Sequence, residues 1–309
     1  MSDNSVAIAS LLDLEAKAQG QVQVSALRGG TFTLPKKLFV SSATDNEFTR
    51  VPSLSFLIAE DHGAGGRPKC TLFDLGLRRD TGTYTPQIQQ HLKSRLPMHT
   101  TPDVLQSLVD GGLKASDIDE VILSHIHWDH IGTPTDFREA KFMVGAGSLS
   151  LLQTGLNGHM SHSNFQQDLF EGLNAVELSD PGGWDLIGGL KMLDLRNGGY
   201  LYVVDSPGHL TGHIALLARV GVQKWVLLIG DACHDTSLLT GEQSIAEWTD
   251  AEGRSCCIHM DKEKATETLE IFSMWKGAFE QSGMNLTIVF AHNVEWAESH
   301  PEAFFPGSL

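Results

Sequence analysis

One stretch constrains this chain more than any other. Ser124-His125-Ile126-His127-Trp128-Asp129-His130 follows the apolar run Val121-Ile122-Leu123 and precedes breaks at Gly132 and Pro134. The run is short and branched, so it reads as a buried strand that delivers the motif at its C-terminal end. If the extended geometry continues, His125 and His127 point the same way, because side chains alternate along a strand. The pair can then share one metal ion. Asp129 and His130 come after the chain starts to turn, so they diverge from the first pair and can serve a second ion nearby. Neutral imidazole and carboxylate suit zinc, and on ligand type alone also manganese, iron or cobalt.

Other strands end in the same way. Leu201 to Asp205 runs into Ser206-Pro207-Gly208-His209, where Gly208 permits a sharp turn that aims His209 beyond the strand end, as third ligand of the first ion. His213 opens the next strand, His213 to Arg219, and reads as structural. The apolar strand Lys224 to Ile229 terminates in Gly230-Asp231. A carboxylate there is costly unless a cation or hydrogen bonds compensate it, so Asp231 is the natural bridging ligand. Leu286 to Phe290 ends in Ala291-His292-Asn293. Asp74, closing Thr71-Leu72-Phe73, is placed to support the ligands from behind.

Between these points the pattern is conventional. A helix is expected around Ala7 to Ala18, and strands at Gln21 to Leu27, Leu38 to Val40, Leu54 to Ala59 and Cys70 to Leu75, with Asp61 to Pro68 as a hairpin connection. Gln87 to Leu96 reads as helix, and a second helix should start with Thr101 as cap and Pro102 at its first position. Lys141 to Val144 and Lys191 to Leu195 read as strands. Asp261 to Gln281 is the clearest helix, with Ala265, Leu269, Phe272, Trp275 and Phe279 at core spacing. Residues 147–189 are polar, Gly-rich and weakly periodic, the signature of a lid or pocket insertion. Phe165, Leu169, Phe170 and Trp184 lie there as pocket candidates, Phe165 and Trp184 as substrate contacts. His159 and His162 are not expected to hold a third ion. No Pro/Ser/Gly-rich linker divides residues 1–309, so a single domain is expected.

Composition excludes several classes. A formal charge of −16 opposes long-range attraction to nucleic acid or an anionic membrane surface. Cys70, Cys233, Cys256 and Cys257 form no CxxC pair, which points to a reducing, cytoplasmic setting. No apolar run is long enough for a membrane span, and the first residues lack a signal-peptide core.

Taken in order, His-x-His-x-Asp-His, Ser-Pro-Gly-His, Gly-Asp and a late Ala-His-Asn resemble the metallo-β-lactamase superfamily, from about Phe73 to His292. The resemblance implies an α+β fold, the αββα sandwich of two mixed β-sheets flanked by helices, with a two-metal site at one edge. By position His125, His127 and His209 match the ligands of one zinc, Asp129, His130 and His292 those of the other, and Asp231 the carboxylate between them. Within the superfamily, Ser124 to His130, Ser206 to His213 and Phe290 to Glu295 are most similar to the acyl-homoserine lactonase branch. Those lactonases carry a tyrosine three residues beyond the bridging aspartate, where this chain has His234.

The implied activity is opening of a small-molecule lactone or related ester by a metal-bridging hydroxide that attacks the carbonyl. Asp129 would also shuttle a proton. His234 would contact substrate, donating a hydrogen bond to the oxyanion or a proton to the leaving group. Cys233 reads as a small buried residue, not a nucleophile. Thioester hydrolysis, as in glyoxalase II-like or polyketide-releasing relatives, and a non-catalytic metal-binding role are the alternatives. Hydrolases of this kind commonly pair, so a homodimer is expected.

Overall fold

Runs rich in Val, Ile, Leu and Phe assemble into two six-stranded sheets packed face to face. The computed structural model describes residues 3–60, 66–156, 164–179, 183–250 and 253–309; His159 and His162 lie outside the described residues. After helix α1 (Asp3–Lys17), the first sheet is formed in order by β1 (Gln23–Pro35), β2 (Phe48–Glu60), β3 (Lys69–Phe73), β4 (Glu120–Ile122), β5 (Lys141–Gly145) and β6 (Asn174–Leu178). Helices α2 (Pro86–Leu92), α3 (Val104–Asp110) and α4 (Ser148–Thr154) interrupt it. The second sheet contains β7 (Trp184–Ile187), β8 (Leu190–Asp194), β9 (Leu201–Asp205), β10 (Ile214–Gly221) and β11 (Lys224–Leu228). A short helix α5 (Thr236–Leu239), a separate two-strand ribbon β12 (Trp248–Thr249) and β13 (Ser255–Cys256), and the long helix α6 (Lys262–Gln281) follow. Strand β14 (Asn285–Val289) then joins the second sheet beside β11, and α7 (Val294–Ser299) comes after it.

Both sheets are mixed. In the first, β1 to β3 pair antiparallel and β3 to β6 parallel; in the second, only β11 and β14 run parallel. Alternation along each strand sorts the side chains into two layers. Val24, Ala26, Phe56 and Ile58 meet Val203, Leu216, Ala218 and Val226 between the sheets. Their neighbours Leu57, Leu72, Leu217, Trp225 and Leu227 turn outward into a second core, shared with Leu11 and Leu14 of α1 and Phe272, Trp275 and Phe279 of α6. The result is the αββα sandwich implied by the motif order.

Polar clamps hold the layers in register. Glu15 of α1 accepts hydrogen bonds from Arg219 Nη2 (2.7 Å), Trp225 Nε1 (2.8 Å) and the Gln223 amide (3.0 Å), which docks the helix on the second sheet. The Arg219 guanidinium, outweighing burial, pulls the Glu15 carboxyl down to about 2. Just after β8, Arg196 reaches across to the first sheet, donating to Glu60 Oε1 and Glu120 Oε2, each at 2.7 Å.

Several local expectations need correction. Leu38 to Val40 is not a strand: Lys36–Leu38 is a 3-10 turn, and Val40 makes only an isolated bridge to Ile245. The second helix starts at Val104, not at Pro102, because the Asp103 carboxylate caps it by accepting the Gln106 amide at 2.9 Å. The described parts of 147–189 contain α4 and supply an edge strand to each sheet, β6 and β7. Edge strands half exposed on both faces lack strong periodicity, which is why this stretch resembled a loop. Among the described residues no helix is long and apolar enough to cross a membrane.

Candidate functional site

The topology sends four chain segments to one edge of the sandwich. Strands β9, β11 and β14 share one direction, since β9 and β11 each run antiparallel to β10 and β14 runs parallel to β11. Their C-terminal ends therefore lie together, followed by His209, Asp231 and His292. The end of β4 meets them there through the Ile214 amide, which donates to the Ser124 carbonyl (2.9 Å), and β2 through the Leu54 amide, which donates to the Ala291 carbonyl (2.9 Å). Gly208 takes φ +126°, and a Cβ on it would come within 2.3 Å of the Ala265 amide nitrogen. Only glycine lets the His209 loop pass so close to α6.

The side chains form two groups around one carboxylate. His125 Nε2 lies 2.8 Å from His127 Nδ1, and His209 Nε2 lies 3.1 Å from the same atom. Asp231 Oδ2 faces this group, 3.8 Å from His125 Nε2 and 3.6 Å from His209 Nε2. Asp231 Oδ1 faces the other, 3.1 Å from His130 Nε2 and 3.2 Å from His292 Nε2. Asp129 Oδ2 completes the second group, 3.5 Å from His292 Nε2. In each group one donor atom per residue lies within 4.8 Å of all the others, and every residue is buried.

Three of the outward ring nitrogens are already engaged. His292 Nδ1 donates to the Pro52 carbonyl (2.8 Å), His130 Nδ1 pairs with Asp74 Oδ2 (2.8 Å), and His125 Nδ1 lies 3.0 Å from Ser124 Oγ. Asp74 also accepts the Ser124 amide and hydroxyl, both at 2.7 Å, from a left-handed backbone position at φ 62°. A non-glycine residue held there is a local cost that its buried bonds offset. Orienting one nitrogen from behind leaves the other free to face inward, the usual arrangement behind metal-binding histidines.

The electrostatics fit a cation. Burial and neighbouring imidazoles push His125 and His209 well below the ordinary histidine range, so both present neutral lone pairs. Burial opposes charge on His130 and His292 too, but Asp231 with Asp74 holds His130 well above that range, and Asp231 with Asp129 holds His292 up to about 10. The acids demand positive charge, which divalent cations could supply in place of protons. His130 Nε2 and Asp231 Oδ1 are sealed from solvent and make no hydrogen bond despite their 3.1 Å separation, as expected of atoms aimed at a common third point. All donors are imidazole or carboxylate, a set that suits zinc, manganese, iron or cobalt.

Around this centre, His234 Nε2 lies 3.1 Å from Asp231 Oδ2, its ring packs on Phe39 at 4.7 Å, and with His292 it lines a cavity of about 260 Å³. Phe165 stacks on His127 at 5.8 Å with the rings 4° from parallel. His213, read as structural, accepts the Asp231 amide through Nε2 (3.2 Å) and so helps place that carboxylate. Leu169 packs in the outer core and Phe170 against Phe142. Trp184, at the edge of the second sheet, packs against the inter-sheet core. The Cys233 thiol, pushed up to about 12 by burial, donates to the Asp235 carbonyl.

Residues 49–221 match the metallo-beta-lactamase superfamily. The chain belongs to that superfamily. Over 198 residues, 61% of its length, it is 33% identical to cytochrome P450 monooxygenase mpaDE' of Penicillium brevicompactum. Over 226 residues, 71% of its length, it is 30% identical to metallo-hydrolase mfmC of Annulohypoxylon moriforme. The matches span 22% of the first relative and 58% of the second. A solved N-acyl homoserine lactone hydrolase, with the product N-hexanoyl-L-homoserine at its catalytic metal center, shares the fold at a TM-score of 0.66 and 18% identity. That likeness covers 94% of this chain and 100% of the other.

One residue of this metallo-beta-lactamase site escaped the sequence reading. His259, buried between β13 and α6, sets Nδ1 3.3 Å from His209 Nδ1, while the Met260 and Asp261 amides donate to the His209 and Gly208 carbonyls. With its Nε2 turned inward, His209 carries its proton on Nδ1 and His259 accepts it. No spacing marks His259; only its place just before the Asp261 helix cap hints at a fixed position. His259→Leu is expected to weaken zinc binding by the first group about 10- to 100-fold. His259→Asn, whose Oδ1 can stand where Nδ1 stood, should recover most of it. Titration calorimetry with zinc checks both, and unchanged affinity in the leucine variant would remove the orienting role.

Proposed function

We propose that this protein is a binuclear metal-dependent hydrolase that opens a lactone or a related small-molecule ester. The observation that carries the reading is the single buried carboxylate of Asp231, with one oxygen turned to each group of imidazoles. His125, His127 and His209 would hold one zinc, Asp129, His130 and His292 the other, with Asp231 shared. Cations bound there would supply an activated water and polarise the substrate carbonyl.

The chain's own groups have complementary tasks. Asp231 holds His234 through Nε2, and His234 Nδ1, buried with no partner among the described residues, is the atom left to face a substrate oxygen, to which it donates when both ring nitrogens carry a proton. Asp129, beside His292, can accept a proton as well as bind. Phe165, flat against His127, would cover one side of the substrate and exclude water. The lactone reading draws on the fold neighbour that hydrolyses a lactone.

Proton release from zinc-loaded protein tests it, with one acyl chain presented as a lactone and as a thioester. Faster lactone opening is the expected result. Thioester cleavage without lactone opening would reassign the enzyme to thioester release, and protein that binds zinc yet opens neither would overturn the hydrolase reading for these substrates.

A further inference from the structure

Arg95 closes the 3-10 turn Lys93–Arg95 that continues α2, four residues beyond His91. Residues at that spacing share a helix face, and the His91 ring sits 5.9 Å from that of Trp128, the neighbour of Asp129. Arg95 and His91 therefore lie on the face that packs toward Trp128, and Asp129 of the second group is near enough for its charge to act on Arg95. It is only 4% exposed, yet among the described residues its guanidinium has neither an ion pair nor a hydrogen bond. The other inward-reaching arginines are satisfied: Arg196 by Glu60 and Glu120, Arg219 by Glu15, Arg78 by the Gly132 and Thr83 carbonyls.

A buried guanidinium without an acceptor is among the costliest states a side chain can adopt. Burial pulls its pKa down, and Asp129 is the acid that opposes this. Asp129, however, turns its Oδ2 to His292 and makes no ion pair with Arg95. Nor are the Arg95 nitrogens among the unpartnered atoms sealed from solvent, as His234 Nδ1 and His259 Nε2 are, so the fork keeps an opening. The structure thus holds a desolvated, planar, five-donor cation within electrostatic reach of Asp129 and with no acceptor among the described residues.

We propose that Arg95 binds a carboxylate of the substrate, so that the lactone or ester opened here carries a free acid remote from the scissile carbonyl. The inference deepens the hydrolase reading and rests on it. The planar fork matches a carboxylate in a two-bond geometry. A phosphate is less suited, because His91 adds no second charge: burial and Arg95 itself push its imidazole down to about 4.

Two matched lactones, one bearing a carboxylate and the other a carboxamide at the same place, test the assignment on zinc-loaded enzyme. Wild type should prefer the acid, and Arg95→Leu should lose about 10- to 100-fold in kcat/KM on the acid alone, with Arg95→Lys between them. The corresponding cyclic ethers have no carbonyl to attack, so their binding by calorimetry reads the same discrimination independently of turnover. If neither lactone is opened, the hydrolase reading fails while the ethers still judge Arg95. Absence of a carboxylate preference in wild type, or its persistence in Arg95→Leu, overturns the proposal. Arg95→Leu should also melt no lower than wild type, since it removes an uncompensated charge; a lower melting temperature with unchanged discrimination would make Arg95 a structural residue.

Discussion

Asp231→Asn is expected to fold, to retain less than half of the zinc bound by wild type, and to lose hydrolysis by on the order of 10³-fold or more. The carboxylate's two oxygens face different imidazole groups, at 3.6–3.8 Å on one side and 3.1–3.2 Å on the other. An amide keeps the shape but replaces one acceptor with a donor, so one group must face an N–H where a cation should lie. His213 and His234, which contact the Asp231 amide and Oδ2, keep the side chain in place and prevent it from turning away. Zinc content after dialysis, measured beside proton release, gives the answer. Full zinc occupancy with full activity would mean that the two groups do not depend on a shared carboxylate.

Arg196→Leu is expected to destabilise the fold by about 3–5 kcal/mol, the cost of leaving buried charges without their partner. Glu60 and Glu120 belong to the first sheet and Arg196 follows the last residue of β8 in the second, so one guanidinium ties the layers together. Burial works against the Glu120 charge, but Lys69 and Arg196 together hold its carboxyl below the ordinary range. Lys69 still serves Glu120 in the variant; among the described residues Glu60 keeps only the side chain of Tyr200, whose hydroxyl lies 3.1 Å away. Urea denaturation of the variant and of the Arg196→Leu, Glu60→Gln pair separates the effects. A loss below 1 kcal/mol would show the clamp to be ornamental. The contrast with Arg95→Leu is instructive, because the same substitution removes a compensated charge at one position and an uncompensated one at the other.

Much of the site was legible from local pattern. An apolar branched run followed within a few residues by histidine or aspartate states both where a strand ends and what it carries, and this held after Leu123, Asp205, Ile229 and Phe290. The helix over Asp261 to Gln281 was equally plain, because its apolar residues repeat at the helical period and Asp261 caps it. Signals that compete within a few residues were harder. The start expected at Thr101-Pro102 gave way to a cap by the Asp103 carboxylate, two residues after Thr101. Trp184 reads as a pocket residue because large aromatics in polar stretches often are, and in the structure it packs against the inter-sheet core.

By itself the sequence determined the donor types and their attachment to strand ends, since both are local properties of a few consecutive residues. Tertiary structure alone decided that β9, β11 and β14 point the same way, that Asp231 divides its oxygens between two groups, and that His259 stands behind His209. It also decided that Arg95 is buried without an acceptor among the described residues. The physical reason is that burial and partnership are relations between residues far apart in the chain: a histidine or an arginine is an ordinary polar residue until the fold removes its water, and only then does a missing partner acquire meaning.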